Sequence, residues 1–210
     1  LVNTVLELAG SSVKPIPMIC LPKCAALQPQ LRSQNGRMRY AGSHQLRQRK
    51  PGYCLFRTTD RVCQRNGTSG LCTLPRTGIF YLLTVYQKQY IGKLSAFCGA
   101  VSASCAAGAG ITYMGGGELS VIKKTIENTL ANIPGIICDG AKISCAAKIA
   151  ASLDAAFLAH HLAMNGQSYA PYTGILKEEA GETISCVGQI GKEGMKETDK
   201  EILRIMLERV

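Results

Sequence analysis

The chain has 210 residues, 46% of them apolar, and its 24 Lys and Arg against 14 Asp and Glu give a net charge of +10. That length allows one or two domains with a sizeable core, and the apolar share excludes a chain disordered by composition. There is no tryptophan, and Ala, Gly and Ile carry much of the apolar content, which suits close-packed helices better than an aromatic-rich β-sandwich.

The first ten residues, LVNTVLELAG, lack the basic start and long apolar run of a secretion signal, and the sequence does not open on Met. A cytoplasmic location is the expectation. There the ten cysteines (Cys20, Cys24, Cys54, Cys63, Cys72, Cys98, Cys105, Cys138, Cys145 and Cys186) are buried apolar groups, metal ligands or nucleophiles rather than disulfide partners.

Residues 11–80 hold twelve Lys and Arg and one acid, Asp60, so this third accounts for the whole positive balance. It mixes Pro, Gly, Gln and Arg and sustains neither a helical nor a strand period. Two functional readings exist at face value. Arg37, Arg39, Arg47, Arg49 and Lys50, with Tyr40 and Tyr53, resemble an RNA-binding arm built on phosphate contacts and stacking. Cys20, Cys24, Cys54, Cys63 and Cys72 offer zinc ligands, although their even nine-residue steps match no common zinc knuckle. The plain reading is a disordered basic segment.

From Tyr81 the sequence reads as all-α. QYIGKLSAFCGAVSASCAAGAGITYMGGG (89–117) predicts a helix closed by its glycine triplet. It is too rich in Ser, Ala and Gly for a membrane span and is read as a buried central helix. In ELSVIKKTIENTLANI (118–133), Leu119, Ile122, Ile126, Leu130 and Ile133 recur at three- and four-residue steps, an amphipathic helix stopped by Pro134-Gly135. Residues 143–164 predict a long helix whose only full charges are Lys148 and Asp154, with Asn165-Gly166 as its stop. Two more helices are expected at 175–191 and 197–209. The last starts at Thr198-Asp199, with Ile202, Ile205, Met206 and Val210 on one face.

Three blocks, LLTVYQKQYIGKLSAFCGAV, IPGIICDGAKISCAAKIA and GMKETDKEILRIM, occur in order over about 125 residues. Together they resemble the iron–sulfur L-cysteine desulfidases and their serine dehydratase alpha-chain-like relatives. That family also carries, upstream of LLTVYQKQ, a glycine-rich stretch close to RMDGCGMPVVTNSGNGNQGIA, which this chain lacks. Yet NGRMRYAGSHQLRQRKPGYCLF (35–56), back-translated and shifted by one nucleotide, can read MDGCGMPVVTNSGNGNQGIACF. Residues 1–80 are therefore expected to be an irregular basic segment that is largely out of frame, from about residue 12, and not natively folded. Residues 81–210 are expected to form the helical serine dehydratase alpha-like domain. On this reading the RNA and zinc patterns are accidents of frame.

The resemblance implies α,β-elimination on a small amino acid without pyridoxal phosphate: L-cysteine to pyruvate, ammonia and sulfide, or L-serine to pyruvate and ammonia. It implies an iron–sulfur cluster, of the four-iron kind, held by three thiolates with one iron open. It places ligands on Cys98 and Cys138, with a third upstream in a region absent here; Cys145, seven residues after Cys138 and near the same face if the helix begins early, is a weaker candidate. The chain alone is expected to be inactive. Cys105 reads as packing, and Cys186 has no cluster-like company. Asp139, Gly140 and Lys142 shape the cluster loop, with a solvated Lys142 and an Asp139 that caps the next helix as the plainer alternative. His160 and His161 tempt as a general base, but their place late in an apolar helix puts at least one on the surface or in the final turn. No catalytic residue is assigned. The implied partner is a small amino-acid substrate, without nucleic acid or membrane, and a homo-oligomer is compatible.

Overall fold

A computed structural model describes residues 73–92, 95–140 and 144–208. The RNA-like and zinc-like patterns and the shifted-frame motif lie outside them, as does Lys142. The described part is all-α, with no strands: α1 (Thr73–Ile91), α2 (Gly99–Met114), α3 (Leu119–Asn132), α4 (Cys145–Met164), α5 (Ala180–Gln189) and α6 (Lys196–Leu207). A wide π-type turn at Ile190–Gly194 joins the last two, closed by the Met195 amide on the Ile190 carbonyl at 2.9 Å.

Helix α2 is the axis of the domain, packed against α1, α3 and α4. Fourteen of its sixteen residues are buried, so it has no polar face and no amphipathic signature. Its small side chains let neighbours come close. A Cβ on Gly108 would lie 3.2 Å from the Ala156 Cβ of α4, so the two helices nearly touch there. Ala100, Ala103, Ala106, Ala107 and Ala109 of α2 are buried in the same core. Helix α3 lays Ile122, Ile126 and Leu130 into the same core, as its period predicts.

Three boundaries differ from expectation. The helix read as continuous over 89–117 is broken: α1 already starts at Thr73 and ends at Ile91. Gly92 then leaves the helix at φ 92°, residues 95–98 are not helical, and Cys98 is extended before α2 begins. Residues 175–179 are not helical, and α5 starts at Ala180. Helix α6 begins at Lys196 instead of behind a Thr198-Asp199 cap, and it buries no side chain; Leu203, Ile205, Met206 and Leu207 are exposed. No described helix is long and apolar enough to cross a membrane.

Candidate functional site

The break between α1 and α2 builds the site. The extended residues before α2 meet the extended residues after α3, and Phe97 and Ile137 form an isolated antiparallel bridge. The Cys98 amide donates to the Ile136 carbonyl at 2.8 Å, and the Cys138 amide donates to the Ala96 carbonyl at 2.6 Å. Cys98 and Cys138 are therefore diagonal neighbours across the pairing, a relation with backbone separations of roughly 7–8 Å that side chains can close. Their thiols lie close enough for each to act on the other's ionisation. On the other side, Ser95 Oγ donates to the Gly191 carbonyl at 2.5 Å and fastens this segment to the π-type turn.

The backbone at Ala100 favours the thiolate form of Cys98, and that at Gly140 favours the thiolate form of Cys138. Cys98 stands at the N-cap of α2, where the helix dipole favours negative charge. Interaction with Cys138 and burial raise the pKa of Cys98, while interaction with Cys98, helped by the Gly140 backbone and Lys148, lowers that of Cys138 to about 6. Gly140 sits at φ 93°, a backbone that side chains resist.

Cys145 is the first residue of α4, with its Sγ 3.5 Å from the Gly140 carbonyl and near enough for its charge to act on Cys98. Among the described residues no three His, Cys, Asp or Glu side chains stand close enough together to hold a metal ion. The site is thus a neighbouring pair of thiols with a third one loop away. Soft sulfur donors with Lys88 and Lys148 near them are the chemistry a thiolate-held cluster takes.

The model of the serine dehydratase alpha chain family matches residues 79–204. The chain belongs to that family. It is similar to UPF0597 proteins of Lachnoclostridium phytofermentans (54% identity over 126 residues, 60% of this chain and 30% of that protein). The same holds for those of Treponema denticola (50% over 126 residues, 60% and 29%) and Finegoldia magna (50% over 128 residues, 61% and 31%). The chain spans about 30% of the length of these curated relatives. No solved structure matches it.

In this serine dehydratase alpha-type domain the other sequence candidates separate clearly. Asp139 does not cap α4, whose N-cap is Ser144; it pairs with Lys148 at 2.5 Å, and Lys148 also donates to the Ile137 carbonyl at 2.8 Å. Burial opposes the charge on Lys148, but the bond and charge of Asp139 raise its pKa overall. Cys105 is fully buried in α2, and desolvation pushes its thiol up to about 12, a packing group. His160 is buried and bonds Thr112 at 2.8 Å through Nδ1, while His161 lies in the last turn of α4. Thr112 is fourteen residues along the axis from Cys98, about 20 Å at the rise of a helix. His160 is therefore remote from the thiols.

Two cations escaped the sequence reading as parts of the site, Lys88 of α1 and Lys148 of α4. A charge isolated in a nearly uncharged helix was the available signal for Lys148. Lys88 lies on another helix ten positions before Cys98, and only the folded chain brings it back.

Proposed function

We propose that this domain is the cluster-bearing part of an iron–sulfur lyase that converts L-cysteine to pyruvate, ammonia and sulfide. Cys98, Cys138 and Cys145 hold the cluster on this reading. What supports it above all is the meeting of Cys98 and Cys138, forty positions apart in sequence, at one hydrogen-bonded crossing. Membership in the serine dehydratase alpha chain family supports the reaction class.

When bound, the cluster supplies an iron with an open position as a Lewis acid for the leaving group. The chain's own groups do the rest of what can be assigned here. Cys98 and Cys138 would present two sulfurs to the cluster, which takes them as thiolates. The amides of Ala100 and Gly140 and the N-terminus of α2 stabilise the thiolates. Lys148, anchored by Asp139, holds the loop through the Ile137 carbonyl. Overall, L-cysteine loses its α-proton and its Cβ–S bond, and water then releases ammonia from the resulting enamine as its imine tautomer. Atoms balance as cysteine and water giving pyruvate, ammonia and hydrogen sulfide. Turnover is proposed for a protein of the relatives' full length.

The test is anaerobic reconstitution of the chain with ferrous iron and sulfide. Visible thiolate-to-iron absorption is expected in the parent, lost in Cys98→Ser and Cys138→Ser, and kept in Cys186→Ala. A parent without that absorption overturns the proposal. Membership in the serine dehydratase alpha chain family offers L-serine as a second substrate. A full-length relative that forms pyruvate from serine but no sulfide from cysteine would replace desulfidation by dehydration.

A further inference from the structure

Lys88 reaches from α1 to the N-terminus of α2. Its Cε and Nζ each lie 3.7 Å from where a Cβ on Gly99 would stand, so the bare glycine leaves the ammonium lying along the backbone next to Cys98. It is half-buried, and the thiols of both Cys98 and Cys138 are close enough to act on its charge. No carboxylate among the described residues pairs with it, whereas the neighbouring Lys148 is neutralised by Asp139. A partly desolvated ammonium gains from a nearby negative group, and the groups described as favouring its charge are the sulfurs of Cys98 and Cys138.

We propose that Lys88 is a positioning residue whose ammonium is the counter-charge of the cysteine-held cluster, setting its reduction potential from outside the ligand sphere. This rests on the cluster reading above. A cluster carrying thiolate ligands becomes more negative on reduction, so a fixed positive charge beside two ligand sulfurs favours the reduced form. Burial lowers the pKa of Lys88 overall, and the sulfurs of Cys98 and Cys138 offset part of that. Lys88 touches no reacting atom on this account and acts through Cys98 and Cys138.

The experiment is potentiometric titration of the reconstituted 210-residue chain, parent against Lys88→Gln, Lys88→Met and Lys88→Arg, with Lys200→Gln on exposed α6 as control. Loss of the charge is expected to shift the midpoint potential downward in both neutral variants, with the parent value regained in Lys88→Arg and kept in Lys200→Gln. The two neutral variants differ in polarity, so one that fails to fold leaves the other to decide. A parent that forms a cluster whose potential is unmoved by either neutral variant overturns this inference and leaves the cluster reading standing. A parent that forms no cluster overturns both.

Discussion

His160 shows how one side chain couples this fold to pH. Its ring is only 4% exposed, bonded to Thr112 Oγ1, which in turn sits 2.9 Å from Thr125 Oγ1. Burial, and then the neighbouring His161, lower its pKa from 6.5 to about 4. The unfolded chain therefore takes up a proton near pH 6.5 that the folded chain refuses until about pH 4. The stability contributed by the neutral ring is present in full above pH 6.5 and drains away as pH falls toward 4. The total is about 3 kcal/mol at most. Urea unfolding between pH 7 and pH 4 should show this slope in the parent, and His160→Gln should flatten it. An unchanged slope in that variant would move the effect elsewhere.

At the scale of helices, contact distance governs. Gly188 of α5 lies against α1: a Cβ there would come within 2.2 Å of the Tyr90 Cβ and 3.1 Å of its backbone carbonyl carbon. The clash is with atoms close to the backbone, so a rotamer change cannot relieve it. Gly188→Ala should part α1 from α5 and cost about 3 kcal/mol, read as a lower urea midpoint at constant slope. Gly110 of α2 meets nothing within 4 Å, and Gly110→Ala should gain up to about 1 kcal/mol from helix propensity. The same contrast explains what could be read from sequence. Helix α3 was legible because one face is buried and the other wet, which prints a 3.6-residue period. Helix α2 is buried all round, so it prints no period, and the turn at Gly92 hides within a run of small residues. Cys98 was therefore placed inside a helix, although it stands at the head of one. The partnership of Cys98 with Cys138 was legible only through resemblance. The place of Lys88 was not legible, because α1 and α2 are brought together by the turn that the pattern conceals.

Across the whole chain, the family match begins at residue 79, just before LLTVY, and residues 1–72 lie outside the described structure. The frame reading proposed for that part makes a direct prediction. The DNA encoding residues 35–56 should yield MDGCGMPVVTNSGNGNQGIACF after a one-base shift, with a compensating base lost before Leu82. A nucleotide sequence that gives no such motif in either alternative frame ends the idea, and the twelve Lys and Arg of residues 11–80 would then need a partner. Helix α1 begins at Thr73, within the stretch read as irregular, so the ordered domain reaches a few residues further upstream than composition suggests.

The bridge between Phe97 and Ile137 also orders events in time. As the chain is synthesised, Cys98 emerges alone and stays alone until α3 and the loop behind it have left the ribosome. The two sulfurs can meet only after that point. On the cluster reading proposed above, iron capture by both residues is tied to late synthesis, and a product arrested at Asn132 would hold only one of them.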